Sequence, residues 1–304
     1  MYVCGWDGGG TKTEVCLMRD SGETLAASAF GPLNINGANE ETVRASVRDA
    51  LAYMAEQTGS LIDCGALVIG MAGASNAKAV TLVEDAVRAL GYEGPLRILG
   101  DQEIALAGAV RGPGAVLIAG TGAICFGRDL HGNPFRVGGY GYLIDDGGSG
   151  YAIGRDILAS VARAVDGRGK ETCLKEMVFR FLGVQDIGGV ITWLYAPGTG
   201  KKEVASLAPL LAEALAGKDE TAQGIAEKAA ADLAELALTA WRKTGMRDGE
   251  LALTGSILNR FSFIRELTER KILDALPSVR VIAPRANAAQ GAALLALKMV
   301  RQKE

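Results

Sequence analysis

Three short apolar segments open the chain, and their pattern predicts that each is a β-strand. They cover residues 2–6, 14–18 and 24–30, are rich in strand-forming side chains, and are separated by glycines and small polar residues. The first two flank a polar, glycine-rich segment, Asp-Gly-Gly-Gly-Thr-Lys-Thr at 7–13. This arrangement predicts a β-hairpin whose tip is residues 7–13.

Longer apolar runs follow, and they alternate between two periodicities. Apolar residues recur at helical spacing over 40–57, 77–90 and 102–111, whereas 66–70 and 96–99 are short, continuous apolar runs. The first third of the chain is therefore predicted to contain three strands followed by alternating helices and strands. That order is typical of an α/β fold.

The second half of the chain begins in the same way. Residues 115–119 and 123–127 are predicted strands around a Gly-Thr-Gly turn at 120–122, so a hairpin tipped by glycine and threonine occurs twice. Residues 151–246 are then mostly helical, before a strand at 251–254 and a terminal apolar helix. We interpret the repeat as an internal duplication in which each copy points one phosphate loop into a shared cleft.

The tip of the first hairpin has the composition of a phosphate-binding loop. Three glycines leave backbone N–H groups open to an anion, and an acid at the end of the first strand could hold a hydrated Mg²⁺ there. A Walker loop and a Rossmann motif both fail, because the glycine spacing differs and a strand follows instead of a helix. An ordinary glycine-rich hairpin is the alternative. The residues predicted to contact the nucleotide are Asp7, Gly9, Gly10, Thr11, Lys12 and Thr13, with Asp7 as the metal ligand.

Composition argues against several classes of protein. The 304 residues are 49% hydrophobic, which supports a full globular core. A net charge of −3 without a Lys/Arg-rich stretch argues against nucleic acid or an anionic membrane as a partner. No apolar run reaches about 18 residues and no leader-like segment opens the chain, so we expect a soluble, cytoplasmic protein. Five scattered cysteines without a Cys-x-x-Cys pair indicate reduced core thiols.

Four of these features together resemble the ATPase superfamily of actin, hexokinase and the DnaK-type chaperones. The first phosphate motif corresponds to 7–13, the second to 119–122, the connecting acid to Asp101 and the adenosine motif to 253–256. The resemblance implies an α/β fold of two duplicated RNase H-like lobes, with ATP and Mg²⁺ in a central cleft. The further nucleotide contacts that it implies are Gly120, Thr121, Gly122, Gly255 and Ser256.

The predicted domain boundaries follow from the duplication. The N-terminal α/β lobe covers residues 1–111, and the terminal helix at about 288–304 is expected to pack back on it. The C-terminal α/β lobe covers 112–287 and includes a helical insertion. We also expect the protein to be a homodimer.

Within that superfamily, the chain is most similar to the N-acetylglucosamine kinase branch of the BadF/BadG/BcrA/BcrD ATPase family. The resemblance rests on 5–13, on Gly-Pro-Leu-Asn-Ile-Asn at 31–36, on Asp101 and on the glycine-rich segment 138–154. It implies an ATP-dependent sugar kinase in which Thr11 and Thr121 contact phosphates. The residues that it implies for the sugar site are Asn36, Asp101, Gly139, Tyr140, Gly141 and Asp146, and Asn34 is the alternative to Asn36.

One motif departs from the pattern of that family. The family usually has Gly-Asp-Glu-Gly-Ser-Gly, whereas this chain has Asp-Asp-Gly-Gly-Ser-Gly at 145–150. Asp146 keeps the acid, Asp145 adds a second one, and Gly147 replaces the glutamate. We expect Asp146 to lie in an exposed, mobile loop and to accept hydrogen bonds from sugar hydroxyls.

Asp101 is the candidate general base. It follows a predicted strand and precedes a helix, and ligands of α/β folds bind at the carboxyl ends of strands. The alternative is that Asp101 only caps the helix. Serine hydrolysis is disfavoured, because Ser149 lacks a Gly-x-Ser-x-Gly frame and His131, in a turn, is the sole histidine.

The leading functional hypothesis is phosphorylation of N-acetylglucosamine at its 6-hydroxyl, with glucosamine kinase as a near alternative. A second hypothesis is an activator ATPase that feeds electrons to a dehydratase or reductase through a cysteine-held iron–sulfur cluster. Cys125 lies within a predicted strand, which disfavours that cluster. A nucleotide-binding regulator without turnover is a third hypothesis.

Overall fold

The structure is a computed structural model that describes residues 1–34 and 39–302. The chain divides into two compact units. Unit 1 is formed by Met1–Arg111 together with Pro284–Glu304, and unit 2 is formed by Gly112–Ala283. Each unit is built around one five-stranded sheet.

The sheet of unit 1 has the strand order β3-β2-β1-β4-β5. β1 pairs antiparallel with β2, and β2 with β3, whereas β1 pairs parallel with β4, and β4 with β5. The elements of unit 1 are β1 (Tyr2–Gly8), β2 (Thr13–Arg19), β3 (Thr24–Phe30), α1 (Glu40–Thr58), β4 (Cys64–Met71), α2 (Ala77–Ala89), β5 (Leu96–Gly100), α3 (Asp101–Ala109) and, after unit 2, α12 (Ala288–Arg301).

The sheet of unit 2 has the strand order β10-β9-β6-β7-β8. β6 pairs antiparallel with β7, and β7 with β8, whereas β6 pairs parallel with β9, and β9 with β10. The elements of unit 2 are β6 (Gly114–Ala119), β7 (Ala123–Arg128), β8 (Pro134–Gly138), α4 (Gly150–Val165), α5 (Leu174–Leu182), α6 (Ile187–Leu194), α7 (Lys201–Ala205), α8 (Leu210–Ala216), α9 (Glu220–Thr244), β9 (Gly249–Thr254), α10 (Ser256–Arg260), α11 (Ser262–Ala275) and β10 (Val279–Ile282).

The two sheets have the same topology. In each, the first strand is central, two antiparallel strands extend to one side and two parallel strands to the other. The repeated hairpins also match, since β1 and β2 close on the pair Gly8 and Thr13, and β6 and β7 close on Ala119 and Ala123. The predicted α/β fold of two duplicated lobes is confirmed.

The sequence missed two strands at the edges of the unit 2 sheet. The segment after the turn at 131–134 is strand β8, and Val279–Ile282 is strand β10. β8 begins with a proline and β10 has only four residues, and both features weaken the strand signal. The predicted helical stretch at 151–246 is six separate helices, α4 to α9.

Helix α12 packs closely on the sheet of unit 1. A Cβ atom at Gly5 of β1 would lie 2.0 Å from the backbone nitrogen of Ala293, and one at Gly291 would lie 2.1 Å from the carbonyl oxygen of Ile104 in α3. Glycine is therefore required at both contacts, because any larger residue would separate the helices and the sheet. This packing fixes α3, and with it Asp101, relative to β1.

Within the described ranges, no single helix is long and apolar enough to cross a bilayer, although α5 and α6, bent by 55° at their junction, meet that criterion as a pair.

Candidate active site

The tip of the first hairpin in unit 1 is a loop with free backbone donors. The N–H of Gly9 donates to the carbonyl of Lys12 at 2.9 Å, which closes the turn. The N–H groups of Gly10, Thr11 and Lys12 have no acceptor among the described residues. Three such donors in succession are suited to an anion such as a phosphate.

The side chains of this loop divide into exposed and buried ones. Thr11 and Lys12 are exposed, and the ammonium of Lys12 is paired with Glu14. Thr13, in contrast, is fully buried, and its hydroxyl donates to the carbonyl of Gly31 at 2.6 Å. Thr13 therefore holds the hairpin against the following segment in this structure, while Thr11 and Lys12 remain accessible.

The segment after β3 packs under the phosphate loop. A Cβ atom at Gly8 would lie 2.8 Å from the side chain of Leu33, and the backbone N–H groups of Leu33 and Asn34 point to the carbonyl of Gly9 at 3.2 and 3.4 Å. Asn34, one of the two predicted sugar-binding asparagines, therefore lies directly beside the predicted phosphate loop at 7–13. Asn36 lies outside the described residues.

Two carboxylates lie at the carboxyl ends of strands in the unit 1 sheet. Asp7 is near the end of β1, and Asp101 follows β5 as the first residue of α3. In the sheet register Asp7 lies opposite Gly70 of β4, and Gly70 lies opposite Leu99 of β5. Two strand spacings separate these positions, roughly 10 Å. Both predicted acids therefore lie on the side of the sheet that is formed by the carboxyl ends of β1 and β5.

The electrostatic setting of Asp7 is unfavourable for a negative charge. Asp7 is half-buried, and desolvation raises its pKa to about 6, helped by the charges of Asp101 and Glu14. The Lys12 ammonium opposes this rise only weakly, since it is paired with Glu14. A cation or a proton at Asp7 would therefore offset the cost of its partly desolvated charge and the repulsion from Asp101 and Glu14.

Asp101 has a raised pKa as well. The cause is desolvation by the surrounding protein, and hydrogen bonds from backbone N–H groups oppose it. The side chain of Asp101 is nevertheless exposed, so solvent limits the rise in its pKa. The N-cap of α3 is Gly100, and Asp101 itself accepts the Gln102 N–H at 2.9 Å. The alternative in which Asp101 is the N-cap of α3 is therefore wrong, and the carboxylate keeps a second oxygen for other partners.

The second predicted phosphate loop lies in unit 2, at the turn between β6 and β7. The N–H of Gly120 donates to the carbonyl of Gly122 at 2.8 Å, and the N–H groups of Gly150 and Tyr151 donate to Gly120 and Thr121. The loop is thereby attached to the start of α4. Thr121 remains exposed beside it. Ser149 is buried and its hydroxyl accepts the Ala152 N–H, so it serves as the N-cap of α4.

Asp146 is buried, which corrects the expectation of an exposed loop acid. It is 7% exposed, and its carboxylate accepts the Ala123 N–H at 3.0 Å and the Lys201 ammonium at 2.6 Å. Lys201 was not predicted, because it is 55 residues away in a helical stretch with no local sign of function. A Cβ atom at Gly122 would lie 2.8 Å from the Lys201 nitrogen and 3.0 Å from Asp146. The ion pair therefore lies directly against the second phosphate loop.

The loop between β8 and α4 contains the remaining predicted sugar residues. Gly139 and Gly141 have positive φ angles of 71° and 98°, which glycine adopts without strain. Between them Tyr140 is 54% exposed, and the guanidinium of Arg136 lies 4.5 Å from the centre of its ring. Tyr140 is thus held in place from one side while its other side is open.

Gly147 occupies the position at which the family usually has glutamate. A Cβ atom there would lie 3.0 Å from both the Cβ and a carboxylate oxygen of Asp232 on α9. Burial raises the pKa of Asp232. Asp232 of α9 therefore fills the space that the side chain of the family's usual glutamate would need. This gives a physical reason for a glycine at position 147.

The predicted adenosine motif lies beside the second phosphate loop. Gly255 has a φ of 100°, and a Cβ atom there would lie 2.2 Å from the carbonyl oxygen of Ala119, so glycine is required. The exposed Ser256 begins α10. A cavity of about 300 Å³ within unit 2 is lined by Thr121, Ser256, Ala205, Arg260 and Phe261, among others. Its partly apolar wall suits a nucleotide base.

The described residues include no cluster of three or more His, Cys, Asp or Glu side chains that could hold a metal ion. The two carboxylates of unit 1 still fit Mg²⁺, because that ion takes oxygen ligands and usually binds one or two carboxylates, several waters and substrate phosphates. Cys125 is fully buried in β7, and Cys173 is partly buried before α5.

Comparison with known proteins identifies relatives along almost the whole chain. The model of the BadF/BadG/BcrA/BcrD ATPase family matches residues 4–296. The N-acetylmuramic acid/N-acetylglucosamine kinase of Clostridium acetobutylicum is 32% identical, over 97% of this chain and 98% of that protein. The N-acetyl-D-glucosamine kinase of Dictyostelium discoideum is also 32% identical, over 96% and 97%. The solved structure of a proposed N-acetylglucosamine kinase from Chromobacterium violaceum is 26% identical, with a TM-score of 0.80 over 97% of this chain and 98% of that one.

Proposed function

The chain belongs to the BadF/BadG/BcrA/BcrD ATPase family, and we propose that it is an ATP-dependent kinase that phosphorylates N-acetylglucosamine at its 6-hydroxyl. The curated relatives at 32% identity are named as kinases of this sugar, and each matches over nearly its whole length. Both phosphate loops and the acids that a sugar kinase needs are present.

The main observation in support of the proposal is the pair of acids, Asp7 and Asp101, at the carboxyl ends of strands in the unit 1 sheet. Asp7, near the end of β1, and Asp101, just after β5, lie in one unit with a loop that has three free N–H donors, and each has a raised pKa. A protein that only binds a nucleotide does not need an uncompensated acid there. Phosphoryl transfer needs one, because the attacking hydroxyl must lose its proton.

The reaction follows from these parts. The oxygen of the sugar 6-hydroxyl attacks the γ-phosphorus, the bond from that phosphorus to the β–γ bridging oxygen breaks, and ADP leaves with that oxygen. The hydroxyl proton goes to a carboxylate oxygen of Asp101. A raised pKa suits this role, since a stronger base at neutral pH accepts the proton more readily.

Each unit has its own loop with donors suited to a phosphate of the nucleotide. In the proposal, the N–H groups of Gly10, Thr11 and Lys12 and the hydroxyl of Thr121 contact phosphates. The cavity beside Ser256 holds the base and ribose. Mg²⁺, held by Asp7, would neutralise charge on the phosphates. Binding of a cation there is favoured by the desolvation and the neighbouring negative charges that raise the pKa of Asp7.

Residues of unit 2 would select the sugar. Asp146 accepts hydrogen bonds from sugar hydroxyls, and Tyr140, between Gly139 and Gly141, offers an exposed ring to a sugar face. Asn34 or Asn36 would add a further contact beside the first phosphate loop. A buried carboxylate discriminates strongly against epimers, because it is left unpaired when a hydroxyl is inverted.

The experiment is a comparison of kcat/KM for a panel of sugars with Mg-ATP. The panel contains N-acetylglucosamine, glucosamine, N-acetylmannosamine, N-acetylmuramic acid and glucose, and ADP release is measured by a coupled assay. The proposal expects N-acetylglucosamine to have the highest kcat/KM. If glucosamine is highest, the acetyl specificity is wrong, and if glucose exceeds every amino sugar, the assignment as an amino-sugar kinase is wrong.

Location and oligomeric state are also part of the proposal. We expect the enzyme to work in the cytoplasm, where ATP is available, and its five cysteines are free thiols. We expect a homodimer, which light scattering on the purified protein at several concentrations checks directly.

A further inference from the structure

We infer that Lys201 couples the binding of sugar to the binding of nucleotide, by exchanging its ammonium between Asp146 and a phosphate of ATP. This inference rests on the proposed function and assigns a positioning role to a residue that neither the sequence nor the family resemblance identified. The argument depends on three observations, all within unit 2.

The first observation is the position of the ammonium. Lys201 is the first residue of α7, and its nitrogen lies 2.6 Å from the Oδ2 atom of Asp146. The same nitrogen lies 2.8 Å from the place where a Cβ atom of Gly122 would be. Gly122 belongs to the second phosphate loop. The ammonium therefore lies between the loop proposed to hold phosphate and the acid proposed to hold sugar.

The second observation is a difference in exposure. The side chain of Asp146 is 3% exposed, whereas that of Lys201 is 30% exposed. The carboxylate is fixed by the Ala123 N–H at 3.0 Å, and the lysine has a flexible stem that solvent reaches. An arriving phosphate can therefore contact the lysine without displacing the buried acid.

The third observation is the rigid support of α7. A Cβ atom at Gly154 of α4 would lie 2.0 Å from the carbonyl oxygen of Val204, so the two helices touch backbone to backbone. The start of α4 in turn holds the phosphate loop, through the N–H groups of Gly150 and Tyr151. The lysine stem, the acid and the loop are thus parts of one packed assembly, and only the lysine side chain needs to move.

Coupling between sugar and nucleotide binding follows from the charges of Lys201, Asp146 and the phosphate. Without sugar, a lysine that turns to phosphate leaves the buried Asp146 with the Ala123 N–H as its remaining donor, which is costly. When sugar hydroxyls donate to Asp146, they replace the lysine and remove that cost. Each ligand therefore strengthens the binding of the other, and by linkage the factor is the same in both directions.

The test measures this factor by calorimetry, as the ratio of the N-acetylglucosamine dissociation constants without and with Mg-AMP-PNP. For the wild type we expect a ratio of about 10, within the usual range of such couplings. Lys201→Met should reduce the ratio to below about 2, and Lys201→Arg, which keeps the charge, should recover part of it. Lys202→Met is the matched control, because Lys202 is the exposed neighbour on the same helix, and it should behave as wild type.

A second experiment uses the Asp146→Asn variant, and it distinguishes coupling through Lys201 from simple neutralisation of Asp146. If Lys201 only neutralises that acid, adding Lys201→Met to Asp146→Asn leaves the affinity for Mg-AMP-PNP unchanged, which would overturn the inference. We expect a further loss of about fivefold or more, because the phosphate contact is lost as well. Full coupling in Lys201→Met would also overturn it. A wild type that binds neither ligand would contradict the proposed function instead, so the two failures are distinguishable.

Discussion

Both units carry an acid next to the tip of a repeated hairpin, yet the two acids are held in opposite ways. In unit 1, Asp7 is half-buried near Asp101, and its pKa is raised to about 6. In unit 2, Asp146 is buried but accepts two donors, the Ala123 N–H and the Lys201 ammonium. The same sheet topology therefore supports two kinds of acid. Among the described residues Asp7 has no ion-pair partner, whereas Asp146 is paired with the ammonium of Lys201.

This difference indicates different tasks for the two acidic sites. Uncompensated carboxylates attract a divalent cation or accept a proton, which are the two needs of phosphoryl transfer. A compensated and buried carboxylate is a fixed acceptor, which is suited to recognise neutral hydroxyls. In our account, unit 1 supplies the base and the metal ligand, and unit 2 supplies the buried acid that recognises the sugar. Four substitutions test that division.

Asp101→Asn should have the largest effect. The amide cannot take the proton of the attacking hydroxyl, so we expect kcat to fall by about 10²–10⁴-fold, the usual contribution of a positioned base. The dissociation constants of sugar and ATP should stay within about threefold of wild type, because the shape of the site is kept. Steady-state kinetics and calorimetry check the two parts. A kcat within threefold of wild type would leave Asp101 as a structural residue of α3.

Asp146→Ala should reduce sugar affinity by about 10²-fold, because hydrogen bonds to a buried charge are lost. The affinity for Mg-ATP should change much less. Calorimetric titration with each ligand provides the measurement. Equal losses for both ligands would contradict the separation of tasks between the units.

Asp7→Asn should increase the stability of the free protein while removing its stabilisation by Mg-ATP. Since the folded-state pKa is about 6, against 3.8 for the free side chain, the stability from a protonated Asp7 is full below pH 3.8 and is lost as pH rises through 6. At pH 7.5 we expect a gain of about 1–2 kcal/mol, less than the full shift because Asp7 is partly solvated.

Urea unfolding of Asp7→Asn and wild type between pH 4 and 8 measures this effect. The difference in free energy of unfolding should grow from pH 4 to about pH 6 and then stay constant. Glu23→Gln removes an exposed acid of the same unit and serves as the control. A wild type as stable as Asp7→Asn at pH 7.5 would show that Asp7 is already compensated.

Gly147→Glu should affect stability alone. The new side chain would meet the carboxylate of Asp232, at 3.0 Å from the Cβ position, and overpacking of this kind costs about 1–3 kcal/mol. Adding Asp232→Ala should restore at least half of that loss, as measured by urea unfolding. A single variant as stable as wild type would show that the glutamate of the family fits beside Asp232 without cost.

Local patterns predicted the parts of the site that depend on neighbouring residues. The glycine-rich hairpin tips at 9–12 and 120–122 follow from strand periodicity and turn composition, and Asp101 follows from its place between a strand and a helix. The repeated hairpins at the centre of both sheets were also predicted, whereas the edge strands β8 and β10 of unit 2 were missed.

Contacts between distant segments could not be predicted in this way. Burial of Asp146 depends on Lys201, 55 residues later, and the absence of a side chain at Gly147 depends on Asp232 of α9. Thr13 was predicted to face a phosphate, but its hydroxyl is used by the carbonyl of Gly31, 18 residues away. Each of these depends on how elements pack, which one-dimensional spacing does not encode.

The most direct test of the account measures whether the phosphate released from ATP is transferred to the sugar. Wild type and Asp101→Asn are mixed with Mg-ATP and N-acetylglucosamine, and the products are identified by ³¹P NMR and mass spectrometry. The account predicts one N-acetylglucosamine 6-phosphate for each ADP with the wild type, and almost none with the variant, which still binds the sugar in calorimetry. ATP hydrolysis without a phosphorylated sugar, or equal product from both proteins, would contradict it.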